Sequence, residues 1–121
     1  MPKEQDKNRW DCGAGWHDIL DRLTADIKAV ITAITPRVKV DKVFKILQVK
    51  EKFGCLRYYY YLDLNEAHRN KIYALVRAAE KESSQTCETC GKPGKVHNDL
   101  SWVKTLCDVH RTELDIKYII E

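Results

Sequence analysis

Four residues in the last third of the chain restrict its fold more than any other feature. Cys87-x-x-Cys90 is followed, after sixteen intervening residues, by Cys107-x-x-His110. Each half presents two ligands three positions apart, so a tight turn can aim both at one ion. Zinc favours thiolate and imidazole donors in a tetrahedron. Gly91 follows the second cysteine, as a knuckle requires for main-chain amides to approach the sulfurs. Residues 96–106 leave room for a short hairpin turning at Asn98-Asp99. Cys107 then opens a final helix whose apolar stripe is Leu114, Ile116 or Lys117, Tyr118 and Ile120. Knuckle, hairpin and a ligand pair at a helix start are the treble-clef order. The expectation is one structural Zn2+, because four protein ligands leave no open coordination position. Iron–sulfur clusters usually take four cysteines.

The rest of the sequence is compatible with this. The N-terminal MPKEQDKNRW is polar and has no secretory apolar stretch. No apolar run is long enough to cross a bilayer, so the expected location is the cytoplasm and no membrane partner is expected. Thiols there stay reduced, and clustered ones bind metal more often than they pair. The formal charge of +3 says little by itself. Its distribution says more. Residues 37–57 carry Arg37, Lys39, Lys42, Lys45, Lys50, Lys52 and Arg57 against only Asp41 and Glu51, while the remaining segments are nearly balanced.

Periodicity predicts an α+β fold, a helix–β-hairpin–helix body over 1–86 with the zinc module of 87–121 packed on it as one compact unit. Trp16, Ile19, Leu20, Leu23, Ile27, Val30, Ile31 and Ile34 recur at helical spacing, predicting a helix over 16–34 stopped by Pro36. Residues 38–50 are predicted to be a strand, with Leu47 and Val49 on one face and Phe44 and Ile46 on the other. That imperfect alternation implies a bulge or a strand covered on both faces. Lys50 to Gly54 forms the connection, and Cys55 to Leu62 returns with four consecutive tyrosines, two per face. Asn65 is the expected N-cap of a second helix running to about Glu82, with stripe His68, Ile72, Leu75, Val76 and Ala79. The two helices should cover one face of the hairpin.

Cys12 and Cys55 are expected to be small buried hydrophobes. His17 and His68 are ordinary helix histidines. His97, between the two ligand pairs, raises the reading of a ββα-metal nuclease, but the final helix offers only Glu113 and Asp115 and no second histidine. No phosphate loop or nucleophile motif is present. The basic hairpin is the other candidate site. Lys45, Lys50, Lys52 and Arg57 can neutralise phosphates, and Tyr59 and Tyr61 can stack on bases.

Gly-Trp-x-Asp-Ile-Leu-Asp (15–21), Val-Lys-Glu-Lys-Phe-Gly-Cys-Leu-Arg-Tyr-Tyr (49–59), Ala79-Glu80 followed by Ser83, Cys-Glu-Thr-Cys-Gly-Lys-Pro-Gly (87–94) and Trp-Val-Lys-Thr-Leu-Cys-x-x-His (102–110) carry a resemblance. Together they resemble a family of small proteins encoded by bacteriophages and prophages. Cys55 stands where that family usually has a small residue. The resemblance implies a viral setting in a bacterial cytoplasm and no mechanism. The expected function is non-catalytic binding to a host macromolecule, with a host protein as partner and interference with a host defence system or enzyme as its concrete form. Nucleic-acid binding through residues 37–61 is the alternative.

Overall fold

The computed structural model describes residues 10–99 and 103–120, the side chains of 117–120 excepted. A 3-10 turn, Ala14–Trp16, leads into α1, His17–Ile34. The predicted stripe is buried: Trp16, Ile19, Leu20, Leu23, Ile27 and Ile31 all face inward. Pro36 cannot extend the helix, and Thr35 closes it by donating its amide and its hydroxyl to the Ile31 carbonyl at 2.8 and 3.0 Å.

The next segment departs from the predicted strand over 38–50. Val40–Val43 is a single helical turn, α2, and the strand begins only at Phe44. The cause is spacing: Val40 and Val43 lie three apart, so one turn of helix brings both against the core. Strand β1, Phe44–Lys52, pairs antiparallel with β2, Cys55–Leu62. The connection is shorter than expected, only Phe53 and Gly54, at φ of 55° and 80°. Two consecutive positive φ values are those of a type I′ turn, whose twist matches a hairpin.

The pairing register slips between Ile46 and Gln48. Leu47 is the extra residue of a β-bulge. It therefore does not share a face with Val49, as alternation suggested: Leu47 is 66% exposed and Val49 is buried. Phe44, Ile46 and Val49 all pack on the inner face, opposite Leu62, Tyr60 and Tyr58.

Helix α3, Glu66–Ser83, starts where Asn65 accepts from the His68 amide at 2.9 Å. Its Ile72, Val76 and Ala79 join α1 and the hairpin's inner face in one core. α3 also closes part of the free edge of β2. Ser83 Oγ accepts from the Leu56 amide at 2.9 Å, and Glu80 Oε2 from the Tyr58 amide at 3.2 Å. On the far side of the hairpin, Asp11 bridges to β1, giving its amide to the Val49 carbonyl and taking that of Glu51.

The C-terminal lobe comprises β3, Lys95–His97, paired antiparallel with β4, Lys104–Leu106, and α4, Asp108–Ile120. Part of the β3–β4 connection, predicted to turn at Asn98-Asp99, lies outside the described residues, as do the side chains of Lys117, Tyr118 and Ile120 from the predicted α4 stripe. Two seams join the lobe to the body. The Gly15 amide donates to the Glu88 carbonyl at 2.7 Å, and the Trp16 indole to the Thr86 carbonyl at 2.9 Å. At the other end, the Thr105 hydroxyl donates to the Gly54 carbonyl. A Cβ on Gly15 would overlap the main chain of Cys87 and Glu88, so only glycine fits that seam.

Gly15→Ala is therefore expected to cost about 3 kcal/mol, while Leu47→Gln, on an exposed bulge, should stay within about 0.5 kcal/mol of the parent. Urea unfolding of the two variants checks the contrast.

Candidate metal centre and basic hairpin face

The knuckle after α3 carries the first ligand pair. Thr86 and Pro93 bridge its two arms, the Cys87 amide donates to the Lys92 carbonyl at 2.7 Å, and the Gly91 amide to the Cys87 carbonyl at 2.9 Å. The second pair comes from the end of β4 and the first turn of α4. The Arg111 amide donates to the Cys107 carbonyl at 2.9 Å, which fixes that turn.

The ligand atoms of Cys87, Cys90, Cys107 and His110 all lie within 4.8 Å of one another. Cys90 Sγ and Cys107 Sγ are 3.8 Å apart, and His110 Nδ1 is 3.3 Å from Cys107 Sγ and 3.5 Å from Cys87 Sγ. A tetrahedron with metal–sulfur bonds near 2.3 Å has sulfur edges of about 3.8 Å and sulfur–nitrogen edges of about 3.6 Å. The cluster thus has the size of a first coordination sphere and can bind one metal ion. All four predicted ligands are in it.

Its electrostatics favour thiolates at Cys87 and Cys107 and oppose one at Cys90. Burial opposes ionisation of Cys87, but the amides of Cys107, Cys90 and Thr89 converge on its sulfur and bring the thiol down to about 6. The His110 amide, aided by the His110 ring, likewise lowers Cys107 despite some desolvation. The Lys92 amide favours the Cys90 thiolate, yet desolvation and the two neighbouring sulfurs outweigh it and push that thiol up. His110 is raised, chiefly by the Cys107 sulfur. Its Nδ1 faces the cluster while Nε2 lies 4.0 Å from the exposed Glu113 carboxylate, beyond hydrogen-bond distance.

Other sequence candidates fall elsewhere. His97 Nε2 lies 3.3 Å from the Leu106 carbonyl across the small hairpin and is not one of the clustered ligands. Cys12 packs against the core, where burial, then Glu88 and Asp11, push its thiol up to about 12. Cys55 is half-buried beside Lys52 at the hairpin tip. His17 makes an edge-to-face contact with Trp10, centroids 5.1 Å apart. His68 is half-buried in the first turn of α3.

Sequence patterns did not single out Glu88. It is 8% exposed inside the knuckle, and its Oε2 accepts from the Gly13 amide at 2.9 Å. A glutamate between two cysteines carries no sign of that role, because its partner lies 75 positions away.

The basic hairpin resolves into two faces. With Leu47 set aside as the bulge, alternation sends Lys45, Gln48, Lys50 and Lys52 outward, paired with Tyr61, Tyr59, Arg57 and Cys55. All six candidates therefore share one face, opposite the helices. Tyr59 and Tyr61 are 42% and 48% exposed. Lys50 Nζ sits 5.9 Å from the centre of the Tyr59 ring. None of the outward positions of the two strands is acidic; Asp11 borders the face beside Lys50.

No family model, curated protein or solved structure matches this chain. Among the described residues no helix is long and apolar enough to cross a membrane.

In the metal-free lobe, the depressed Cys87 thiol contributes stability that is complete above about pH 9 and lost as pH falls through about 6. Protons compete with metal over the same range. Cobalt uptake, followed by its visible absorption, should therefore weaken steadily on acidification from neutral pH to about 5, and Cys90→Ser should abolish the tetrahedral spectrum at every pH.

Proposed function

We propose that this protein works by binding and not by catalysis, with the outer face of the β1–β2 hairpin as its working surface and single-stranded nucleic acid as its ligand. The observation that carries this is the gathering of Lys45, Lys50, Lys52, Arg57, Tyr59 and Tyr61 on one exposed face. Cations neutralise phosphates and tyrosine rings stack on bases, and here a row of lysines on β1 runs beside Tyr61, Tyr59 and Arg57 on β2, which suits a single strand. The metal cluster supports that surface. We assign it one structural zinc ion in a treble-clef lobe, whose four protein ligands leave no vacant position for substrate. The lobe grips the hairpin tip through Thr105 and Gly54, so the ion stiffens the platform from below. The resemblance to bacteriophage proteins suggests that it acts in an infected bacterial cytoplasm.

A host protein held on the same face is the second reading. Leu47 and Phe53 favour it: they are 66% and 68% exposed, and phosphate binding does not call for them. Exposed apolar side chains on a bulge and a turn are suited to a protein interface.

Fluorescence anisotropy with a short oligonucleotide separates the two. If four cations engage phosphates, log affinity should fall with log salt at a slope of about −3, and Lys50→Glu with Arg57→Glu should weaken binding at least tenfold at low salt. No binding, or binding indifferent to salt, would sink the nucleic-acid reading. Capture of a nuclease-resistant bacterial protein that Leu47→Ser and Phe53→Ser abolish would establish the other.

Zinc removal provides a separate check. Structural zinc supplies folding free energy of about 10 kcal/mol in zinc-finger peptides. A strong chelator should therefore lower the melting temperature markedly and should weaken oligonucleotide binding in the same titration.

A further inference from the structure

α3 covers the edge of β2 only over part of its length. Ser83 and Glu80 satisfy the amides of Leu56 and Tyr58. By the two-residue period of a strand, Tyr60 and Leu62 turn their main-chain groups toward the same edge. Among the described residues no side chain of α3 meets them. A cleft of about 350 Å3 opens there instead, lined by Tyr60, Leu62, Arg69, Asn70 and Tyr73.

Its lining is chemically selective. Tyr60 is half-buried, and burial, with Tyr73 and Glu80 as lesser influences, lifts its phenol above the ordinary value. Tyr73 is 52% exposed, and the Arg77 guanidinium lies 5.4 Å from its ring centre. Two aromatic rings give a flat ligand apolar surface to stack on. The Asn70 carboxamide offers a donor and an acceptor side by side, the pairing that matches one edge of a base. Arg69 supplies positive charge at the rim, and Glu80 is already engaged with the Tyr58 amide. The cleft also adjoins the platform, since Tyr61 faces outward between Tyr60 and Leu62.

We infer that the cleft between β2 and the first half of α3 is a nucleobase pocket, receiving one base of a strand that lies across Tyr59 and Tyr61 and turns over the edge of β2. The inference rests on the nucleic-acid reading of the hairpin face and goes further: it assigns one nucleotide a separate, hydrogen-bonded seat. The platform stacks any base, so preference for base identity arises at this seat, from Asn70 and the edge groups of Tyr60 and Leu62.

Abasic scanning of an oligonucleotide of about 12 nucleotides tests it, with a single base removed at each position in turn and binding measured against the zinc-loaded full chain. One position is expected to lose about tenfold in affinity beyond its neighbours. That extra loss should disappear in Asn70→Ala combined with Tyr73→Leu, both exposed positions, while the salt slope stays as in the parent. Circular dichroism and melting of the double variant confirm that it folds. A flat abasic profile on a strand that binds with the expected salt dependence overturns the pocket and leaves the platform standing. The same profile in parent and variant also overturns it. Failure of the parent to bind any strand removes both.

Discussion

Everything in this molecule leans on the close approach of two main-chain segments, Gly13–Trp16 and Thr86–Glu88. The first leads into α1, and its Trp16 opens the core stripe. The second begins the metal knuckle, and Cys87 is itself fully buried. Amide-to-carbonyl contact at 2.7 Å between Gly15 and Glu88 leaves no space for a side chain. Glu88 reaches back to the Gly13 amide, so one residue serves the seam with both main chain and side chain. A body of this size buries a modest apolar core, and the C-terminal lobe, locked onto the start of the first helix through this seam, adds buried contact to it.

The seam also determines how the hairpin is held. Its inner face rests on α1 and α3, while its tip reaches the lobe at Thr105. The ribbon is therefore supported along its length and at its end, which leaves the outer face free. A two-stranded sheet alone is marginal in water. This one gains a partial third strand from Asp11 on one side and a line of helix side chains on the other.

Much of this was legible in the chain, for identifiable reasons. The ligand set followed from paired spacing, since three positions span one turn whatever surrounds it. Helices α1 and α3 followed from period and caps: Pro36 and Asn65 act locally and needed no tertiary knowledge. The strand over 38–50 was partly misplaced because valine-rich sequence favours a strand, whereas Val40 and Val43 lie three apart and only a helical turn brings both against the core. Val49 was grouped with Leu47 because broken alternation in one strand suggests a bulge without locating it; the pairing with the second strand puts it at Leu47 and returns Val49 to the face of Phe44 and Ile46. The excess of cations over residues 37–57 was visible in the sequence, but their common face became visible only once that bulge fixed the phase. Arg69, Asn70 and Tyr73 fall outside the apolar stripe of α3, and only their placement beside Tyr60 and Leu62 makes them a cleft.

The bulge carries one more implication, for how this hairpin can change over time. Remove Leu47 and the remaining positions alternate regularly, inward at Phe44, Ile46, Val49 and Glu51, outward at Lys45, Gln48, Lys50 and Lys52. Elsewhere in the ribbon, gaining or losing a residue would carry every lysine on one side of the change into the core. Position 47 is thus where this chain tolerates a change of length. A chain lacking Leu47 would still present the same row of cations, on a flatter ribbon.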